Sequence, residues 1–431
     1  MGLFGRKKTT GNGAGIDPQE FLSQFLTYHS DTEAMKEDAR RSDRPVAILK
    51  PQIPLGQGHA AGWFGGRPKL PHGVDWPTVD GQLLPFVCQL DLSALPRQIW
   101  GGIGPREGWL AIFLSAKCAQ LRILHVDGAL TEREGPGQES AVWTSNTNWK
   151  SPRIFDLPRW PVTIDERPGT ALHEPADPQA ASSDQTLLDS TAPALADPAY
   201  LPFDQDTLIL LTEAIASQLV KQARGACHWS RRDRLRDADR LWFERQKPIA
   251  MQSLQRYFER EAVLRASSVF AIDAVVEVMR EVANLPTYEF SYDRDEEGHR
   301  VVRHRQSKLS EAPQLASYAP LWWSEFQRVL QWHAVIAYTR DPSSLHPALR
   351  ARMECVWRAQ TSRHFAAMGH APVGHIYTPH GPATPNEVLL ELPTSNLTGW
   401  IWGDCYSLVL TIEREALRKA DFSNVAMDIT N

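Results

Sequence analysis

The chain lacks any long apolar run. No stretch approaches the roughly 18 uninterrupted apolar residues that a membrane helix needs, and the nearest candidate, Thr207 to Ala216, is broken by Glu213. It also lacks a marked excess of either charge. The 46 Lys and Arg against 51 Asp and Glu leave a formal net charge of −5 over 431 residues, which excludes a generally basic nucleic-acid coat. Cysteine is scarce: Cys88, Cys118, Cys227, Cys355 and Cys405 form an odd, scattered set with no CxxC pair, arguing against a disulfide framework or a structural zinc knuckle. An apolar stretch is missing behind the basic start as well. Thr9 to Gly15 is polar and glycine-rich, so a secretory signal is not expected, and Arg6 stands where a myristoylation acceptor pattern has Ser or Thr. There is no internal repeat of fixed period, no Gly-x-Ser-x-Gly elbow, and no P-loop or Gly-x-Gly-x-x-Gly spacing in the glycine-rich 51–81 segment. These absences together describe a soluble, cytoplasmic protein without a membrane span and without an announced reaction or cofactor.

What is present is globular: 42% hydrophobic and 23% charged residues supply a sizeable core for one or two domains. Residues 1–16 read as a flexible tail, and Asp17-Pro-Gln-Glu caps a helix expected over Pro18–Arg40. A strand is expected at Arg44–Lys50. The Gly- and Pro-rich segment Pro51–Gly81 can be neither a long helix nor a central strand and should lie extended over another element. Strands follow at Leu83–Leu92, Trp109–Ser115 and Gln120–Val126, where apolar residues alternate. Between 165 and 206 nine acidic residues face one basic residue among six prolines, which reads as a linker. From 207 to 368 the spacing turns helical, notably over Gln255–Val282 and around Trp322, Phe326, Val329, Leu330, His333, Ile336 and Ala337, with a polar interruption at Tyr288–Lys308. Strands resume at Glu387–Leu392 and Tyr406–Ile412, then a short helix at Glu413–Lys419 and a last strand at Asn424–Ile429. The pattern predicts an α+β fold, a mainly antiparallel β-sheet domain built from both chain ends (17–164 and 369–431) with a large α-helical insertion (207–368).

Several residues are candidates for binding or chemistry. Gly65 and Gly66 permit positive φ or close backbone approach, and Pro68 and Pro71 stiffen an arm on which Trp63, Arg67 and Trp76 either clamp the sheet or rim a cleft. Gln89 and Asp91 are two apart on a strand and share a face. Asp404, after Trp402 and Gly403, can pair with Arg67 or converge with Asp91 into a two-carboxylate pocket of the kind used in acid–base work or cation binding. His364, His370, His375 and His380 place four of the chain's 14 histidines in 17 residues. Zinc would take three or four such ligands, but these spacings fit no short motif. Cys405 beside them shows no sign of a lowered pKa. The stretch Lys221–Arg265 carries 12 basic against six acidic residues with Trp229, Trp242, Phe243 and Tyr257 interleaved. It suits an anionic partner, or the preceding acidic segment, better than nucleic acid, for which no recognised module is present. Fifteen tryptophans suggest contact surfaces.

Two blocks carry a family resemblance. Trp63-Phe-Gly-Gly-Arg-Pro-Lys-Leu-Pro-His-Gly-Val-Asp-Trp-Pro, with Leu83-Leu-Pro-Phe-Val-Cys-Gln-Leu-Asp-Leu and Gly108-Trp-Leu-Ala-Ile-Phe-Leu, resembles the opening of the YwqG-like family of bacterial proteins. Val388-Leu-Leu-Glu-Leu-Pro, Trp402-Gly-Asp and Glu415-Ala-Leu-Arg-Lys-Ala-Asp-Phe-Ser resemble its close. The matched blocks, 63–115 and 388–423, cover less than half the chain. The resemblance implies an α+β domain around a mainly antiparallel sheet and almost no chemistry, since the family is a domain of unknown function. The chain departs from it between 165 and 370, and the family's Gly-Tyr-Pro turn is replaced near Gly369-His-Ala-Pro. The functional expectation is a non-enzymatic module that binds another protein, in a toxin-immunity or stress-accessory role. The competing expectation is a metal-assisted enzyme built from the Asp and His candidates.

Overall fold

Four consecutive residues with no solvent exposure, Val46, Ala47, Ile48 and Leu49, form the middle of β1 (Pro45–Pro51), and a strand buried on both faces needs neighbours on both edges. In the computed structural model, which describes residues 44–115, 118–135, 157–169, 190–191, 194–195, 199–202, 204, 207, 220, 223–266, 286–308, 322–363, 366–369, 386–403 and 406–430, β1 has both. It pairs with β10 (Trp160–Pro168) over seven residues and with β13 (Ala366–Met368) over three. Beyond β13 lie β14 (Asn386–Pro393), β15 (Ser407–Glu413) and β16 (Ala426–Thr430). Beyond β10 lie β2 (Gly62–Phe64), β6 (Phe86–Asp91), β7 (Trp109–Leu114) and β8 (Leu121–Val126). The result is a ten-stranded sheet, β16-β15-β14-β13-β1-β10-β2-β6-β7-β8, antiparallel at each pairing. The fold is α+β, with the large antiparallel sheet drawn from both chain ends and helices from the middle. The expected helix over Pro18–Arg40 and the tail 1–16 lie outside the described residues, as does most of the 165–206 segment.

The two faces of the sheet are covered differently. On β7, Leu110, Ile112 and Leu114 join the main core, whereas Ala111 and Phe113 point into a second cluster with Trp63, Leu70, Leu84, Phe86 and Val126. That second cluster is roofed by two short hairpin-like pairs, β3 (Lys69–Pro71) with β9 (Leu130–Glu132) and β4 (Thr78–Val79) with β5 (Gln82–Leu83). The main core is closed by helices. In α2 (Trp322–Arg340) the side chains of Val329, Leu330, Trp332 and Tyr338 are buried there, and in α3 (Pro347–Arg363) those of Leu349, Met353, Val356 and Trp357, spaced i, i+4, i+7 and i+8. These helices therefore share the sheet's core. α1 (Asp237–Ala266) reaches the main core through Tyr257 and Leu254, and its first turns build a smaller cluster with a helix over 223–229 and the hairpin β11 (Pro286–Arg294) and β12 (Arg300–Lys308): Ala226, Leu235, Phe243 and Val302, with Trp229, Trp242 and Tyr292 packed on it.

Four elements depart from the sequence reading. Residues 62–64 are a central strand inside the segment expected to hold none. β10 was hidden by Pro161 and Pro168 and by the acidic residues Asp165 and Glu166. Its pairing with β2 is only two residues long, Trp160↔Phe64 and Pro161↔Trp63, so a missing N–H at Pro161 interrupts little. The polar stretch 288–308 is a nine-pair hairpin rather than an interruption, and Ala-Ala-Met368 is too short to show a period. Also, Phe258, placed on the buried face of its helix from spacing, is 45% exposed.

Two polar contacts pin distant segments to this frame. Glu387, on β14 and almost buried, is held by Arg44, just before β1, at 3.2 Å and by Arg414, the first residue of the short helix α4 (Arg414–Arg418). A buried carboxylate is tolerated when charge-paired in this way. His333 on α2 uses both ring nitrogens, Nδ1 at 2.8 Å from the Thr207 hydroxyl and Nε2 at 3.0 Å from the Pro202 carbonyl, and so ties residues 202–207 to the core. Burial pushes its pKa below the usual imidazole value, an effect that Asp204 and the Pro202 carbonyl only partly oppose. An unfolded histidine binds its proton near about pH 6.5, so the unfolded state takes up protons before the folded one. Stability should fall as the pH drops through that value, and His333→Gln should flatten this part of the curve; denaturant unfolding between pH 5 and 8 measures it. Trp160→Ala should lose about 3–5 kcal/mol in the same assay, because it empties a fully buried site and orphans the Leu397 carbonyl that the indole N–H reaches at 2.7 Å.

Candidate functional site

The glycine- and tryptophan-rich arm is a clamp, and its polar atoms are engaged within the scaffold. Gly65 and Gly66 both have positive φ, +60° and +64°, and a Cβ on Gly65 would stand 2.4 Å from the Pro158 carbonyl. This close approach lets Gly65 donate to the Val87 carbonyl and Gly66 to that of Leu157, both at 2.8 Å. Trp63 donates to the Arg67 carbonyl at 3.0 Å, packs against Trp109 at 5.6 Å, and lies under the Arg159 guanidinium at 4.5 Å. Trp76 donates to the Leu84 carbonyl at 2.8 Å and meets Phe113 edge-on. Arg67 pairs with the exposed Glu134 at 3.1 Å.

Gln89 is the informative member. It is fully buried and faces the arm, where its Oε1 accepts from the Lys69 N–H at 2.8 Å and its Nε2 donates to the Lys69 carbonyl at 2.9 Å. The side-chain amide thus reproduces one rung of a β-ladder and fastens β3 over the sheet. Asp91 caps the 3-10 turn that follows β6, accepting from the Ser93 N–H at 2.9 Å and the Ser93 hydroxyl at 2.7 Å. Trp402 is buried beside Trp400, its backbone N–H donating to the Thr394 hydroxyl, and Gly403 follows at φ +54°. Asp404, Cys405, His364, His370, His375 and His380 lie outside the described residues, so the Asp91–Asp404 pocket and the histidine cluster have no geometry to report.

Three other places could hold a ligand. A crevice at the sheet junction lined by Thr361, Ser395, Thr398 and Trp400 measures about 20 Å³, room for a single water molecule. Among the described residues one carboxylate–imidazole group, Asp295, Glu297 and His299, could approach a metal ion. It sits in the β11–β12 turn, where Asp295 is held below the usual carboxylate range by its bond to Arg236 and also accepts from the His299 N–H at 2.7 Å. The third is an open groove of about 450 Å³ between the helix over 223–229 and α1, lined by Val220, Ala223, Cys227, Met251 and Leu254 with Arg224, His228 and Arg231. Sequence reading had marked the basic and aromatic content of this stretch. It could not separate the aromatics, which pack inward on Phe243, from the aliphatic and thioether residues left open.

If Gln89 is a structural rung, Gln89→Leu should strand both Lys69 backbone groups and cost about 1–3 kcal/mol. Hydrogen exchange should then quicken at Lys69 and Leu70 before it does in β7. Asp91→Ala should cost only about 1 kcal/mol, a lost cap, in the same unfolding measurement.

Residues 63–197 match the model of a family described as Domain of unknown function (DUF1963). No curated protein matches the chain. The matched span contains the clamp, β6 to β8 and β10, and stops short of the groove.

Proposed function

We propose that this chain is a non-enzymatic protein-binding module of the YwqG-like type, acting in the bacterial cytoplasm, whose sheet domain is the scaffold and whose 220–266 region is the contact surface. The observation that carries this reading is the apolar strip left uncovered on α1: Leu241 and Met251 are each 52% exposed and Phe258 is 45% exposed. Positions 241, 248, 251 and 258 fall within about one third of a helix turn, so with Pro248 they form one stripe. Large side chains grouped in this way, beside a groove, mark interaction sites rather than ordinary surface. The arm residues support the same reading from the other side, because Trp63, Trp76, Gln89 and Asp91 are committed to holding the sheet together. Among the described residues no helix is long and apolar enough to cross a membrane, which fits a partner met in solution. A toxin-immunity or stress-accessory role is compatible with such a module.

Removing α2 and α3 would strip Trp332, Tyr338 and Trp357 from the core, so the surface is tested by substitution. Immobilised full-length protein should retain a reproducible set of proteins from a bacterial lysate. The variant with Met251→Glu and Phe258→Glu should lose them by tenfold or more while unfolding at the same temperature. Retention of the same proteins by the variant would rule out this surface as the binding face.

A further inference from the structure

The groove is asymmetric in both chemistry and charge. Val220, Ala223 and Cys227 are spaced i, i+3 and i+7 along one wall, while Met251 and Leu254 face them from α1. Arg224, His228 and Arg231, spaced i, i+4 and i+7, run along the same wall's outer edge, all three exposed. Three basic residues nearby have internal partners: Arg236 pairs with Asp295 at 2.9 Å, Lys247 with Glu244 at 2.5 Å, and Arg240 donates to the Ser230 and Arg232 carbonyls. Among the described residues neither Arg224 nor Arg231 has a carboxylate partner. Glu244 feels the charge of Arg231, but its first and strongest bond is to Lys247. An apolar trough bordered by these two arginines fits a ligand with an apolar ridge and flanking carboxylates.

We infer that this groove docks an acidic amphipathic helix of another protein, an assignment that rests on the binding-module reading and gives its partner a chemistry. A helix presents apolar side chains at i, i+3, i+4 and i+7, the spacing with which the trough is lined, and would complete a three-helix packing with the 223–229 helix and α1. Its acidic flank meets Arg224 and Arg231. Met251 suits this role because an unbranched thioether adapts to the ridge it meets. Nucleic acid fits poorly. Trp229 packs 5.9 Å from Phe243 and 5.0 Å from Tyr292, with Arg232 and Arg300 over its ring, and among the described residues no aromatic ring lines the groove, the exposed Phe258 standing farther along α1.

The test is fluorescence anisotropy on the full chain with two synthetic helix-forming peptides. They share leucines three and four residues apart on one face and differ only in carrying glutamates or lysines on the flanks. The acidic peptide should bind, and the basic one at least about tenfold more weakly. The variant with Arg224→Glu and Arg231→Glu should reverse that order, and Met251→Ser should weaken both peptides while leaving the preference intact. Equal binding of the two peptides, or no reversal, overturns the assignment. So does binding that appears only once Glu174, Asp177, Asp184 and Asp189 are neutralised, which would make the chain's own acidic segment the occupant. Dimerisation abolished by Met251→Ser would make the occupant a second copy, and a single-stranded oligonucleotide that binds and is lost in the double arginine variant would make it a polyanion; either overturns it. If neither peptide binds while the variant with Met251→Glu and Phe258→Glu still loses the lysate proteins, the acidic-helix assignment fails and the binding-module reading survives.

Discussion

The whole sheet depends on one short seam, where β10 passes from a seven-residue ladder with β1 to a two-residue ladder with β2. Two rungs cannot by themselves hold two half-sheets in register, and the structure adds fastenings on each side of them. Gln52 donates to the Pro161 carbonyl and Ala61 to that of Val162, both at 2.8 Å, and the Gly65-Gly66 turn bonds to Val87 and Leu157. Above the seam, Trp160 packs on Tyr338 at 5.9 Å and on Trp357 at 5.8 Å while its N–H reaches Leu397. Tyr338 in turn accepts from the Leu55 N–H and donates to Glu354. One buried aromatic knot therefore joins both half-sheets to α2 and α3, and the helical middle of the chain cannot be separated from the two ends that flank it.

The same economy explains how Gln89 and Asp91 meet their hydrogen-bonding needs inside the scaffold. A glutamine or aspartate in a strand reads as a site candidate because polar side chains are costly to bury. Gln89 resolves that cost by behaving as backbone, giving Lys69 the donor and acceptor that a neighbouring strand would have supplied. Asp91 resolves it as a cap. Four of the tryptophans do likewise, each burying its apolar body and handing its indole N–H to a carbonyl: Trp63 to Arg67, Trp76 to Leu84, Trp100 to Val388 and Trp160 to Leu397. Tryptophan abundance in this chain is thus mainly a signature of a large sheet held by aromatic wedges.

How legible this was follows from which physical signal each element carries. Alternating or continuous apolar runs betrayed β1, β6, β7, β14 and β15, and helical spacing betrayed α2. β10 was obscured because its prolines and carboxylates mimic a linker, β13 because three residues carry no period, and the β11–β12 hairpin because its alternation is between polar residues. The Gly65-Gly66 clamp was legible as a backbone requirement, its partner at 157–159 was not, since that contact lies 90 residues away along the chain. The groove was least legible. Helical spacing over Gln255–Val282 puts Phe258 on an apolar face, but only the packed structure shows Phe258 and Met251 exposed.

That open face also lies in a different part of the chain from the span matched by the family model. The family match ends at residue 197 and holds the clamp, the seam and the β6–β8 half of the sheet, all engaged in stability. Val220 to Leu254 falls beyond it, next to the small cluster that contains Phe243, while Leu254 and Tyr257 of α1 pack against the main core. The exposed groove residues Arg224, His228, Arg231 and Met251 can change without removing a buried contact, whereas Gln89 and Asp91 are buried and bonded to Lys69 and Ser93. The binding role proposed above rests on this contrast: Leu241, Met251 and Phe258 of α1 are exposed, whereas the polar groups of Gln89, Asp91 and Trp63 in and under the arm are bonded within the scaffold.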